Sequence, residues 1–415
     1  MQDRHRLLKE PSLNYSLMTV VLLWSGLVIM SSLYITIPLL STFTAAFQAT
    51  TAEVVWTSSA FSFCFAIGCF FYGPLSDRFG RKTIILAGVS SLAFLSLLMG
   101  FITDLSRLIL FRGLQGAAAA TFSPVALAYI VEVFPPHKRV MTIGFINTGF
   151  LIAGISGQLF SSYISQHYGW HLIFHLLGAI YVATAFLIWQ CIPHNPVSSN
   201  NVRINQVFKQ MGTLLTQKAM LCSYTIALTL LFSFVGMYTV LNSYLSSPLF
   251  GFTTQQILYV RSMGIIGMLI SPYAGQLVER HGYLSVLRTG LVLAISGLLL
   301  LGISLNLLCM IISSILFVTG IAIAAPTLIA LIGRLAGSAR GAAISAYTFI
   351  LFTGASIGPI FALNVIEIGG CTLSFAALAL CLCVALAASF FIRMDDEVKE
   401  GSKRVFQITK KYKDQ

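Results

Sequence analysis

Apolar runs of about twenty residues recur twelve times along this chain, and no other feature limits its fold so severely. They lie at roughly 17–38, 54–75, 83–102, 107–130, 141–164, 170–190, 219–241, 255–278, 285–305, 307–332, 342–364 and 371–392, and each is long enough to cross a hydrocarbon core of about 30 Å as a helix. In lipid every backbone N–H and C=O must be satisfied from within, so runs of this length span as helices. Composition agrees, with 57% of the 415 residues hydrophobic and 9% charged, against roughly 45–50% and 25% in soluble domains. The expected fold is an all-α membrane protein of twelve transmembrane helices. One polar stretch, HNPVSSNNVRINQVFKQ within 193–218, carries Pro, Ser, Asn and charge as a linker does. It divides the chain into two six-helix halves, 1–192 and 219–415, the second ending in a basic tail. No soluble domain is left over. The basic N-terminus followed by an apolar run also suits a signal peptide, but the run is too long and has no small-residue cleavage site, so it is expected to remain as the first helix.

The formal charge of +12 raises the question of a nucleic-acid partner, which would need the basic residues gathered on one accessible face. They are distributed otherwise: 22 of the 25 Lys and Arg fall in alternate loops and the two tails. That bias marks those segments and both termini as cytoplasmic, in a cell membrane, with no nucleic acid involved. The exceptions are Arg107 in an outer loop and Arg112 and Arg261 inside runs. The eight cysteines lie within apolar runs or at their ends, which gives no disulfide or zinc framework.

Between the second and third runs lies GPLSDRFGRKTII, Gly73 to Ile85. Gly73 lets backbones approach closely, Pro74 is tolerated near a helix end and Gly80 frees the dihedrals of a short reversal. Asp77, Arg78, Arg81 and Lys82 are more charge than a passive turn requires, and a helix-end carboxylate can pair with arginines or cap a neighbouring helix. A breakable charge cluster can act as a latch. Gly73, Leu75, Asp77, Arg78, Gly80, Arg81 and Lys82 together resemble the signature of the major facilitator superfamily between its helices 2 and 3. The resemblance implies two parallel six-helix halves with a substrate site between them near the midplane, and an acidic residue at the inner end of helix 4, here Glu132, completing a relay with Arg81. Moving forward 202 residues gives Gly275, Leu277, Glu279, Arg280 and Gly282, a second copy in which Tyr283 and Leu284 replace the last two basic residues. Gly73, Asp77, Arg78, Gly80, Arg81, Lys82, Glu132, Gly275, Glu279 and Arg280 are therefore the expected conformational gate, with the first copy carrying more of it.

An arginine inside a span costs roughly 2.5–3.5 kcal/mol at the helix centre and less near an end. Arg112, in LILFRGLQGAAAATFSP, must be offset by something. Leu108, Arg112, Gln115, Gly116 and Ala120 resemble the helix-4 motif of the drug:proton antiporters, which implies that Arg112 takes part in proton coupling; Ala118 stands where that motif has Gly. Gln115, nearly one turn on, faces the same side and is a candidate to hydrogen-bond substrate. The alternative for Arg112 is to snorkel to the outer interface, and for Arg261 snorkelling is the expected behaviour. AGISGQLF from Ala153 aligns with the antiporters' helix-5 motif but lacks its leading Gly and its Pro, whereas GASIGPIF from Gly354 keeps Gly358 and Pro359. Gly116, Gly157, Gly358 and Pro359 are expected at helix contacts. Mid-helix 1 carries no carboxylate, although many drug:proton antiporters keep one. His167, His171 and His175 share a four-residue spacing, but Gly169 breaks the helix face, so no metal is expected. No phosphate loop and no nucleophile–base pair is present. The chain is thus not expected to be an enzyme or to hold a cofactor.

The resemblance implies a secondary active transporter of the antiporter type, a monomer in the bilayer that exchanges protons for small molecules or drugs and so confers multidrug resistance by efflux. A dedicated exporter or importer of a metabolite, such as a sugar, amino-acid derivative or metal-chelating compound, is the alternative. A membrane receptor or assembly partner that no longer transports is a third reading, from another class. Topology is directly testable: cysteines placed in 193–218 should react only with reagent on the cytoplasmic side, and those in 40–53 only from outside; the reverse pattern would overturn the assignment.

Overall fold

The computed structural model describes residues 14–193, 212–214, 216–248, 250–304 and 306–392. Most of the expected linker, the N-terminal thirteen residues and the basic tail from Arg393 lie outside the described residues. Eleven continuous helical segments are long and apolar enough to span: α1 Tyr15–Phe47, α2 Ala52–Phe79, α3 Arg81–Met99, α4 Leu105–Val133, α5 Pro136–Tyr168, α6 Trp170–Cys191, α7 Lys218–Leu245, α8 Gln255–His281, α9 Tyr283–Ile303, α10 Leu307–Leu335 and Arg340–Phe391. The last has 52 residues, about 78 Å as one rod and far more than one crossing. It breaks at Gly369 and Gly370, the latter at φ 76°, giving α11 (340–368) and α12 (371–391). Twelve spans result, in the expected two-half architecture.

Several helices run further than the apolar runs suggested. The stretch expected as an outer loop at 40–53 remains helical to Phe47, leaving a turn of Gln48 to Thr50. Apolarity marks what lipid touches, not where backbone hydrogen bonding stops.

The turns carry an internal repeat deeper than the loop motif. Thr50 with Glu53 forms a capping box at the start of α2, and Thr253 with Gln256 does so at the start of α8. Asp104 caps α4 and Asn306 caps α10, 202 positions apart. Gly80 and Gly282 join α2 to α3 and α8 to α9 with φ of 89° and 82°. Gly169 and Gly370, at φ 84° and 76°, do the same for α5 to α6 and α11 to α12. Each reversal needs a positive φ, which glycine alone adopts at little cost.

Glycine also sets how closely helices meet. A β-carbon on Gly116 would lie 2.2 Å from the carbonyl oxygen of Phe61, so α4 and α2 touch backbone to backbone. Gly157 stands against the Ser31 carbonyl of α1 at 2.7 Å and Gly358 against the Phe232 carbonyl of α7 at 2.3 Å by the same measure. These two contacts are counterparts, since both members differ by 201 positions. Pro359 lies inside α11.

Three of the spans are interrupted next to a proline. Between Tyr34 and Leu40 the helix of α1 tightens into a 3-10 turn containing Pro38. The α-helix of α4 is interrupted between Ala119 and Ser123, before Pro124, and α8 passes through a 3-10 turn at Ser271–Tyr273 with Pro272. Proline removes a donor and clashes with the preceding turn, which neighbouring helices in a bundle can compensate.

Gly116→Val should force α2 and α4 apart, costing roughly 1–3 kcal/mol. A lower unfolding temperature in detergent than for Gly212→Ala, where the added carbon meets nothing within 4 Å, is the expected result.

Candidate functional site

A pocket lies between the two halves. From α1, α4 and α5 come Met30, Tyr34, Ser123, Leu127, Asn147, Phe150 and Leu151; α7, α10 and α11 supply the rest, including Phe234, Ile329, Tyr347, Thr348 and Phe352. Leu127 and Ile329, like Phe150 and Phe352, are 202 positions apart, so the repeat extends to the pocket wall. The wall contains no charged side chain; its polarity comes from hydroxyls and the Asn147 amide. The Tyr347 hydroxyl is buried with no hydrogen-bond partner. None of these residues except Tyr34 stands out in the sequence. The signal that was there is a lone amide, Asn147, and a Tyr–Thr pair, Tyr347 and Thr348, in otherwise apolar spans.

Arg112 and Gln115 are brought together, but inside the first half and not on the pocket wall. Arg112 is fully buried and does not snorkel. Its Nε donates to the Thr57 carbonyl at 3.0 Å, and Nη1 donates to the Ser32 carbonyl at 2.9 Å and to Gln115 Oε1 at 2.6 Å. Nη2 reaches Thr36 Oγ1 at 3.4 Å, and the guanidinium lies over the Phe61 ring at 4.3 Å. Ser32 is in the last turn before α1 tightens, where carbonyls run short of backbone donors. Gln115 passes the link on by donating to Ser96 Oγ of α3 at 2.8 Å. One cation thus ties α1, α2, α3 and α4 together, with no carboxylate paired to it among the described residues.

The face carrying the α2–α3 turn, here termed the basic face, holds the second cluster. Arg81, almost fully buried, pairs with Asp77 one turn before it and with Glu132 of α4, at 2.6 Å from Nη2 to Oε1 and 3.3 Å from Nε to Oε2. Its Nη1 donates to the Gly73 carbonyl at 3.1 Å and to the Ser76 hydroxyl. Asp77, Arg81, Glu132 and Gly73 therefore form one network. Lys82 stands apart, donating to the Trp189 carbonyl at 2.7 Å, where a cation suits the end of α6. Arg78 is exposed over Phe79, and Gly80 makes the turn.

This network touches the other half. A β-carbon on Gly341, in the first turn of α11, would lie 2.5 and 2.6 Å from the two Asp77 carboxylate oxygens, so the carboxylate rests against a helix N-terminus, which favours negative charge. On Gly73 it would strike Ser345 Oγ. Further contacts between halves follow the same side: Asn147 Nδ2 donates to Ser271 Oγ at 3.2 Å, Thr148 Oγ1 donates to the Met268 carbonyl at 3.1 Å, and Gly275 backs onto Met141. Gly341 escaped the sequence reading, because only the fold places it opposite Asp77.

In the second copy Glu279 and Arg280 are exposed and pair with no described residue. Positions 81 and 132 correspond, 202 residues on, to Tyr283 and Arg334, and there the Arg334 guanidinium lies over the Tyr283 ring at 5.0 Å. At this place in the second half a cation–π contact is formed.

Arg261 departs from expectation. It does not reach out to the interface; its guanidinium stacks on Tyr238 at 4.8 Å and its Nε is buried without a partner. The histidines are divided between α5 and α6, with His171 stacked on Trp170 and His175 against Phe101.

The family model of the Major Facilitator Superfamily matches residues 22–359 and, in a second match, 262–412. The chain belongs to that superfamily. An uncharacterized transporter of Buchnera aphidicola subsp. Schizaphis graminum is 27% identical over 353 residues, 84% of either chain. A Haemophilus influenzae protein named a bicyclomycin resistance protein homolog is 28% identical over 257 residues, 60% of this chain and 63% of its own. Among solved structures, the Escherichia coli fucose:proton symporter FucP shares the fold at TM-score 0.75 and 16% identity, covering 92% of this chain and all of its own. The superfamily transporter described here is thus a multi-pass membrane protein with a small-molecule cargo, and neither family nor fold is that of an enzyme.

Asp77→Asn should leave insertion unchanged while removing one charge-assisted contact, worth roughly 1.5–3 kcal/mol. About a tenfold gain or more in labelling of a cysteine placed at Ser345 from the basic face, with slower transport, is expected; unchanged labelling and transport would sink the gate assignment.

Proposed function

We propose that this transporter exports a small amphipathic molecule across the cell membrane in exchange for protons, as a monomer, with its basic face, both termini and the 193–218 linker in the cytoplasm. The observation that carries the reading is a mostly apolar, uncharged pocket between the halves, closed on the basic face by a charge network that protonation can weaken. The resistance protein named above supports the direction. Asp77 and Glu132 share one guanidinium, so a proton on either removes part of the attraction holding Arg81 and loosens the closed face. Gly73, Gly80 and Gly275 keep that face thin enough to close, while Arg78, Lys82, Glu279 and Arg280 surround it with charge.

Arg112 and Gln115 act in this reading as the coupling element within the first half. The guanidinium stays charged at accessible pH, so its part is to hold α1 and α2 in register with α4 while the face beneath them opens. Lysine keeps the charge and loses the planar fork. Transport retained in Arg112→Lys and lost in Arg112→Ala would assign the role to charge; loss in both, with binding kept, assigns it to the fork. Wild-type transport in Arg112→Ala at equal membrane level would remove Arg112 and Gln115 from the mechanism.

Cells with and without the protein, plated against a panel of toxic amphipathic compounds, should differ in resistance to at least one. That compound should then drive proton movement in proteoliposomes containing the purified protein. Resistance without proton movement would overturn the coupling, and no difference across the panel would overturn export.

A further inference from the structure

Arg81 and Arg112 are buried within the bundle and Arg261 is partly buried there. Of these three Arg261 alone has its donors unspent, and Arg340, whose Nε is likewise buried without a partner, stands at the start of α11 on the basic face. Arg81 is met by two carboxylates and Arg112 by two carbonyls, an amide and a hydroxyl. Arg261, near the start of α8 and away from the basic face, makes no hydrogen bond and no ion pair with any described residue, and its Nε is sealed from solvent. Burying a guanidinium this way is unfavourable, and the fold takes further steps to keep it there. Tyr238 of α7 provides the platform, and its own hydroxyl is buried without a partner. Gly264, one turn beyond Arg261, leaves room for that hydroxyl, since a β-carbon there would stand 2.4 Å from it. Phe234, a pocket residue, meets the Tyr238 ring edge to face at 5.2 Å. Tyr34, on the pocket wall from the opposite half, is near enough to interact with the guanidinium charge.

We propose that Arg261, with the hydroxyl of Tyr238, is the anchor for an anionic group of the cargo, held at the end of the pocket away from the basic face while the apolar body of the cargo lies along Phe234 and Phe352. The cargo class is then an amphipathic organic acid, a carboxylate or comparable monoanion attached to an apolar ring or chain. Its negative charge meets two donors that the protein itself leaves unused, in surroundings where a charge-assisted hydrogen bond is strong. The proposal deepens the export reading and rests on it for the word cargo, but binding at this site requires neither a proton gradient nor a direction.

The purified full chain in detergent is titrated with dansylglycine, which carries a carboxylate, and with neutral dansylamide, and binding is read by fluorescence. The expected result is at least a tenfold tighter affinity for dansylglycine, a preference abolished in Arg261→Gln, partly kept in Arg261→Lys, and accompanied in every variant by unchanged dansylamide binding. Unfolding temperature separates site from scaffold: removing a cation that nothing in the fold satisfies should leave Arg261→Gln as stable as the parent or more so, whereas a structural arginine would lower it. Absence of the preference, including failure of both dyes to bind, its survival in Arg261→Gln, or a clear loss of stability in that variant would overturn the proposal. No preference in the parent protein with proton-driven export intact rejects the anion site alone; a preference in the parent protein without proton movement rejects the export reading and leaves the site.

Discussion

In a bilayer a backbone amide has nothing to bond to except its own helix, and the rest of this structure depends on that constraint. It makes the twelve spans helical whatever their side chains, and it makes each interruption expensive. The interruptions in α1, α4 and α8 are therefore informative. The α4 break leads directly into Ser123 and Leu127 on the pocket wall, and the tightening of α1 follows Tyr34, another wall residue. The turn in α8 contains Ser271, which holds Asn147 across the halves. Carbonyls freed at such places need donors, and Arg112 supplies one to Ser32. Breaks and buried cations are thus two sides of one arrangement.

Three arginines show how the surroundings of a charge decide what it can do. Arg81 faces carboxylates, so its contacts change whenever those groups gain a proton. Arg112 faces neutral oxygens, carbonyls above all, which do not titrate; its network holds under any condition in which the helices stay together, as suits an element that must move as a body. Arg261 is stacked but otherwise unsatisfied. Burial alone does not fix what a cation meets: Arg81 and Arg112 are buried and Arg261 partly so, and what they meet is carboxylates, neutral oxygens and a ring in turn.

Much of this was legible beforehand. Twelve apolar runs gave the span count and order, and Gly73 to Lys82 gave the charge cluster, because polarity in an apolar chain is conspicuous. Helix ends were less legible, since Leu40 to Phe47 shows no polar boundary and yet is helical. The pocket was nearly invisible: Phe150, Phe352 and Leu127 look like any lipid-facing residue until the halves are placed together. Arg261 was visible but misjudged, because position near the end of a run does not say whether a side chain points to lipid or to the other half. The capping residues at Thr50, Asp104, Thr253 and Asn306 were readable and would have fixed the register of the repeat.

The two halves share caps, reversals and pocket positions but not the charge network, and the difference has a physical consequence. Where the first half pairs Arg81 with Glu132, the second stacks Arg334 on Tyr283. A cation–π contact involves no carboxylate, so its strength does not turn on one. A symmetric pair of ion networks would give both halves the same response and leave the closed state loosened twice over by one change in pH. Among the described residues the carboxylate–guanidinium network belongs to the first half, and it meets the second directly where Asp77 rests on the first turn of α11; in the proposed cycle that contact is where a change of charge in the first half is felt by the second.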